Sequence, residues 1–290
     1  MPFLIVFLVF ILGLVIGSFL NVVIWRLETD ESFVTGRSHC PKCRKDLGAL
    51  DLIPILSYLF LRGKCRYCRK KISWEYPLVE LITGLLFCFV WIRHGGFINS
   101  AEFSIFLPAM LTQALQAGNF QFSNILLLIR DWVLVSSMIV IFVFDFKHYL
   151  ISDKVIYFTA ASLIIFDLAL FFLGQLAIAD LVSFLLAGVF GILFFLIQFV
   201  VSHGRWIGEG DIRLGFLMGL ALGWPGILWA LFLAYFLGAI VGGILMIIDW
   251  KKIKSAIPFG PFLVIGTLVI LFYGETLINW YWQSLSRFFS

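Results

Sequence analysis

Met138-Ile139-Val140-Ile141-Phe142-Val143-Phe144-Asp145-Phe146-Lys147-His148 runs seven apolar residues straight into an acid, then a lysine and a histidine. A soluble helix keeps one polar face, and this run has none. It suits the hydrocarbon of a bilayer, with Asp145 where the apolar core meets water. The rest of the chain repeats the pattern. Of its 290 residues, 62% are hydrophobic and 13% charged, whereas a soluble domain is about half apolar and a quarter charged. That balance excludes a soluble globular fold. The fold class expected is an all-α polytopic membrane protein.

Apolar segments near span length lie at 3–25, 77–92, 127–146, 155–173, 181–201, 227–248 and 261–282. A shorter one at 211–222 is closed by Gly223-Trp224-Pro225-Gly226. Together they predict about eight transmembrane helices. The first lacks a basic n-region and a small-residue cleavage site, so it is expected to be a retained helix. Charge sets the orientation. The connections 26–76, 147–154, 202–213 and 249–257 hold 18 of the 21 Lys and Arg, leaving Arg93, Arg130 and Arg287 opposite. The rich side is read as cytoplasm, with both termini outside. Segment 103–117 is apolar but short and contains Pro108. Counting it as a span would flip every later segment and collapse the charge bias. It is therefore read as an external interfacial or re-entrant piece.

The long connection carries two matched cysteine pairs, Cys40-Pro41-Lys42-Cys43 and Cys65-Arg66-Tyr67-Cys68. Disulfides are disfavoured in the cytoplasm. Two C-x-x-C turns instead offer four thiolates to one tetrahedral ion, with spacing close to that of zinc ribbons. Flanking Lys42, Arg44, Lys45, Lys64, Arg66 and Arg69 favour the thiolate. Zinc held this way is structural, because four thiolates leave no position open for water. The competing reading is four reduced thiols or a redox pair. The 11 Lys and Arg of this loop stand against 6 Asp and Glu. That excess is partly the orientation signal and is not read as nucleic-acid binding. Cys88, inside a span, reads as packing. His39 abuts the first knuckle, and His148 follows Asp145 by three residues; His94 and His203 fall in connections.

The organisation expected is a first transmembrane helix at 1–25, a cytoplasmic zinc-binding loop domain at 26–76, a second helix with its external segment at 77–130, and a six-helix core at 131–290. Charges inside spans are costly and usually functional. Asp153, Asp180 and Asp249 fall at span edges, Glu80 lies just inside the second span, and Asp167 is deeper without an evident partner. Asp145 and Asp211 share one depth and one side. Asp211 closes Gly208-Glu209-Gly210-Asp211, whose Gly208 and Gly210 allow a tight backbone and the close approach of another segment. Two carboxyls in one site divide into a base and an acid. From position alone, each is equally a membrane-edge residue or a helix cap. A transporter with a proton or cation relay would use the same acids, although no internal repeat supports one.

Several stretches, in order, resemble those of type IV prepilin leader peptidases. They are Gly17-Ser18-Phe19-Leu20-Asn21-Val22-Val23-Ile24-Trp25-Arg26, the paired C-x-x-C motifs, Glu75-Tyr76-Pro77-Leu78-Val79-Glu80-Leu81, Asp145 to Asp153, the G-x-G-D box at Gly208–Asp211, and Ile257-Pro258-Phe259-Gly260-Pro261-Phe262. The resemblance implies a bifunctional enzyme of the prokaryotic plasma membrane, with its active site facing the cytoplasm. It would cleave the basic leader of a prepilin or pseudopilin after glycine. It would then methylate the new N-terminus, usually Phe, from S-adenosylmethionine. The family's catalytic aspartates fall on Asp145 and Asp211, which makes 131–290 the aspartic peptidase core. Asp211, near a helix N-terminus, is expected to be the more acidic partner. The cysteine loop goes with members that methylate; a G-x-G-D peptidase without that step is the alternative. No Rossmann-type glycine fingerprint is present, and Arg26, Glu75 and Glu80 are the polar groups expected near the methyl-donor pocket. The partners expected are the substrate helix and the lipid bilayer. Three features depart from the pattern: segment 94–130 is long, Ser152 replaces Pro, and Arg213 replaces Lys.

Overall fold

A computed structural model describes residues 2–29, 31–32, 36–94, 122–248 and 258–289. The elements are α1 (Pro2–Thr29), a 3-10 turn at Ala49–Asp51, α2 (Leu56–Phe60), α3 (Glu75–Arg93), α4 (Phe122–His148), α5 (Asp153–Phe172), α6 (Ile178–Ser202), α7 (Glu209–Ile248) and α8 (Gly260–Phe289). Among the described residues, strand-like pairing is limited to two isolated bridges, His39 with Asp46 and Lys64 with Lys71. Seven helices are long and apolar enough to cross a membrane. The chain is an all-α, multi-pass membrane protein. Segment 103–117, expected outside, falls beyond the described residues. The described chain forms two compact units, Met1–Asn119 and Phe120–Ser290.

In the first unit, α1 and α3 run antiparallel and touch closely. A Cβ on Gly13 would lie 2.7 Å from Gly84 Cα, and one on Gly17 would lie 2.7 Å from Glu80 Cα. Asn21 Nδ2 donates to Tyr76 O at 3.0 Å, so the α1 signature holds the start of α3. The cysteine loop is tied to both helices. Arg26 donates to Ser32 O at 2.7 Å and Gly36 O at 3.2 Å. The Ile55 N–H donates to Glu80 Oε2 at 2.7 Å. Arg26 and Glu80, expected near the methyl donor, thus hold loop backbone.

Seven long helices stand where about eight spans are expected because 211–222 and 227–248 form one element that doubles back. Inside α7, Gly223 has φ 63° and ψ −168°, and Trp224 has φ −96° and ψ 135°. The first value is left-handed backbone that glycine adopts without a Cβ penalty. Contacts with α6 show the reversal. Gly215 meets Gly191 and Phe195, Gly219 meets Ala187, and Gly223 meets Phe184. Beyond the turn, Trp224 packs on Phe190, and Tyr235 packs on Phe194. The chain therefore runs back along α6 and then forward along it again.

The first arm, 209–222, is 14 residues, or about 21 Å of helix. It packs on α6 backbone to backbone through Gly191 with Gly215, and Ala187 with Gly219, the small-residue interface of membrane helices. Its short length leaves carbonyls ending inside the unit, where water is scarce. Arg130 of α4 reaches them, with Nη2 3.5 Å from Ala221 O. The same guanidinium donates to Asp167 of α5 at 2.6 and 3.3 Å and to Asp131 at 3.0 Å. All three side chains are buried. Asp167, without a partner in the sequence, is half of this ion pair.

Candidate active site and metal site

Asp145 occupies the last turn of α4, and its main-chain oxygen accepts from Tyr149 N at 2.8 Å. Asp211 is the third residue of α7. Its Oδ2 accepts the Gly208 N–H at 3.1 Å, while its own N–H donates to Gly208 O at 3.2 Å. This reciprocal turn explains why an acid opens the helix: it satisfies an orphan N–H that the first turn leaves. Both acids are buried, at 5% and 7% exposure.

Two contacts bring these acids together. Gly210 packs on Ile151, from the connection that follows α4; a Cβ there would lie 2.8 Å from Ile151 Cβ. Gly260, at the start of α8, hydrogen-bonds the Asp145 carboxyl through its backbone N–H. A Cβ on Gly260 would fall on that carboxylate. The charge of Asp145 acts on Asp211, so the two lie near one another within the second unit. Each accepts one backbone N–H, which gives neither the acidic role on main-chain contacts alone. Of the two motif glycines, Gly210 has a steric reason. Gly208 has only ordinary contact, with Asp211 Oδ2 3.6 Å from an added Cβ.

Asp153 lies elsewhere. It pairs with Arg213, whose other nitrogen is 3.9 Å from Glu209 Oε2. Arg213 thereby ties α7 to the first turn of α5. His148 packs against Phe144 with ring centroids 4.8 Å apart.

Two residues close to these acids carried no role in the sequence: Gly260, beside Asp145, and Tyr235, within reach of the charge of Asp211. Gly260 belongs to the Ile257–Phe262 stretch, which carries the signal without showing the function. Tyr235 lies in an apolar run, where a hydroxyl leaves little trace.

The four cysteines converge. The Sγ atoms of Cys40, Cys43, Cys65 and Cys68 all lie within 4.8 Å of one another, and Cys40 Sγ is 4.0 Å from Cys68 Sγ. Zinc–sulfur bonds of about 2.3 Å in a tetrahedron put sulfurs about 3.8 Å apart, so the donor set fits such an ion after a small contraction. The two knuckles repeat one fold. Cys40 N donates to Lys45 O and Arg44 N to Cys40 O; Cys65 N donates to Lys70 O and Arg69 N to Cys65 O. Arg44 and Arg69 have φ 55° and 59°. Burial alone would raise the Cys40 thiol, but the N–H groups of Cys43 and Lys42 and the thiols of Cys43 and Cys65 outweigh it, holding it at about 7. At Cys68 the Lys70 N–H favours the thiolate, but desolvation and the three facing thiols push it to about 11. Lys45 sits 4.6 Å over the Tyr67 ring, and Arg66 pairs with Asp51 at 2.6 Å, so the knuckles are also braced from outside.

Two family models match. Residues 11–94 match the bacterial peptidase A24 N-terminal domain, and residues 132–243 match the type IV leader peptidase family. The chain is 31% identical to a prepilin leader peptidase/N-methyltransferase of Bacillus subtilis (strain 168), covering 94% of this chain and 96% of that one. It is 30% identical to the protein of that name in Aeromonas salmonicida (strain A449), covering 98% and 96%. A Myxococcus xanthus (strain DK1622) protein of that name is 36% identical over 85% of this chain and 64% of its own length. No solved structure matches the chain.

Proposed function

The chain belongs to the type IV leader peptidase family, and on that premise we propose that it cleaves the leader of a prepilin or pseudopilin and N-methylates the new N-terminus. The observation that carries the peptidase half is the neighbouring pair Asp145 and Asp211, each buried and each held by a backbone N–H. The substrate helix lies in the bilayer, which leaves its scissile Gly–Phe bond at the cytoplasmic boundary of the inner membrane.

The ionised carboxylate takes a proton from a water held between the two acids. The hydroxyl attacks the scissile carbonyl carbon while the other carboxyl gives its proton to the carbonyl oxygen. The tetrahedral intermediate then collapses. The C–N bond breaks, the leaving amine takes a proton from the acid that first accepted one, and the re-forming carbonyl returns a hydroxyl proton to the other carboxylate. One water is consumed, and a leader carboxylate and a free amine remain. Burial makes the dyad effective, because charge–charge terms are larger away from bulk water.

That free amine is the acceptor for methyl transfer. S-adenosylmethionine is the donor that this chemistry calls for. Cys40, Cys43, Cys65 and Cys68 would hold a structural zinc, which fixes the loop and supplies no open coordination position.

The test is a cleavage and methyl-transfer assay on a purified prepilin with radiolabelled methyl donor. Asp145→Asn and Asp211→Asn should each abolish cleavage, while methylation of pre-cleaved pilin and zinc content persist. Full processing by either variant would sink the dyad. Cleavage without label transfer would leave a peptidase alone.

A further inference from the structure

We propose that residues 50–60 of the cysteine loop are an interfacial anchor, an apolar turn seated in lipid at the headgroup–acyl boundary of the leaflet on the loop's side. Leu50, Leu52, Ile53, Leu56, Leu59 and Phe60 are all exposed, Phe60 at 82%. Large apolar side chains crowded into one short stretch mark a surface that meets something other than water.

The depth of the stretch is set by α3. That helix has 19 residues, about 29 Å at 1.5 Å each, and the hydrocarbon core is about 30 Å thick. All of α3 is therefore needed to cross. Glu80 is buried and is the sixth residue of α3, about 8 Å along the axis from its start. Its side chain leans back toward that start and accepts the Ile55 N–H at 2.7 Å. This bond draws the middle of the apolar stretch down to the boundary between hydrocarbon and headgroups. Trp74, just before α3 and 68% exposed, marks the same level, where tryptophan is enriched.

The backbone and the flanking charges suit that place. The N–H groups of Ser57, Leu59 and Leu61 donate to Ile53 O, Ile55 O and Ser57 O at 3.0 Å, so these groups need no water. Past the turn, Arg62, Lys64, Arg69, Lys70 and Lys71 are exposed and complement anionic headgroups. Lipid is therefore the occupant, and its consequence is to hold the four-cysteine site at the membrane surface. The anchor stands independently of the aspartate dyad.

The test is spin-label depth in the full-length protein, reconstituted in vesicles of phosphatidylethanolamine and phosphatidylglycerol. A keto amino acid carrying the label replaces Leu56, Leu59, Phe60 or, as the aqueous control, Lys70, so the cysteines stay untouched. Oxygen, which concentrates in lipid, should relax labels at 56, 59 and 60 more than at 70. A water-soluble nickel chelate should relax them less. Labels at 56, 59 and 60 as open to nickel as that at 70 overturn the proposal. Labels shielded from both reagents also overturn it, because protein then covers the turn, be it a second copy, another part of this chain or a substrate helix. The unsubstituted protein gives a second reading. A phosphatidylglycerol with a diazirine in its acyl chain should label the tryptic peptide 46–62 on illumination. That peptide left unlabelled while α3 is labelled overturns the anchor without any substitution.

Discussion

Asp145 accepts the N–H of Gly260, and no carbon fits on that glycine without striking the carboxylate. Gly260→Ala should displace Asp145, and a shift of about 1 Å in an acid–base group costs about a hundredfold in rate. A cleavage assay should show that loss while methylation of pre-cleaved pilin continues. The aspartates were singled out because a carboxylate beside an apolar run is costly, and the ordered motifs, rather than position alone, set them apart from edge residues. The glycine's role was not legible, because its reason lies in what approaches it from 115 positions earlier in the chain. Asp153 shows the same limit from the other side. Its proximity to Asp145 in sequence says nothing of Arg213, which claims it from another helix.

The α7 hairpin was half legible. Gly223-Trp224-Pro225-Gly226 marked the break, and the short apolar stretch before it marked the arm. The sequence did not show what receives the arm's end, because Arg130 reads as a stray basic residue on the external side. In the fold it is buried and bonds Asp167, Asp131 and Ala221 O. Arg130→Met should therefore strip the buried Asp167 carboxylate of its cation and cost about 3–5 kcal/mol. The measurement is thermal unfolding in detergent. Adding Asp167→Asn should recover part of the loss, because that stranded charge is then gone.

Across the molecule, the spans and the cysteine set follow from solvent and donor chemistry, and both were readable. The eighth span was a matter of counting: one folded helix supplies two crossings' worth of sequence. The cysteine loop yields a further expectation. Protons and zinc compete for the same sulfurs, and with Cys68 near 11 and Cys40 near 7 the metal-free site still holds protons at neutral pH. Zinc uptake at pH 7 should release acid, and affinity should fall as pH is lowered; a weakly buffered metal titration at several pH values reads both. Chelation or Cys65→Ser should lower methyl transfer more than cleavage, and unchanged methylation with the zinc gone would contradict that. The stripe where Gly191 meets Gly215 and Ala187 meets Gly219 has a consequence of another kind. An exhaustive substitution screen of this chain would rank those glycines beside Asp145 and Asp211 in intolerance, though they touch no reactant. Invariance in this protein would report helix spacing as loudly as it reports catalysis.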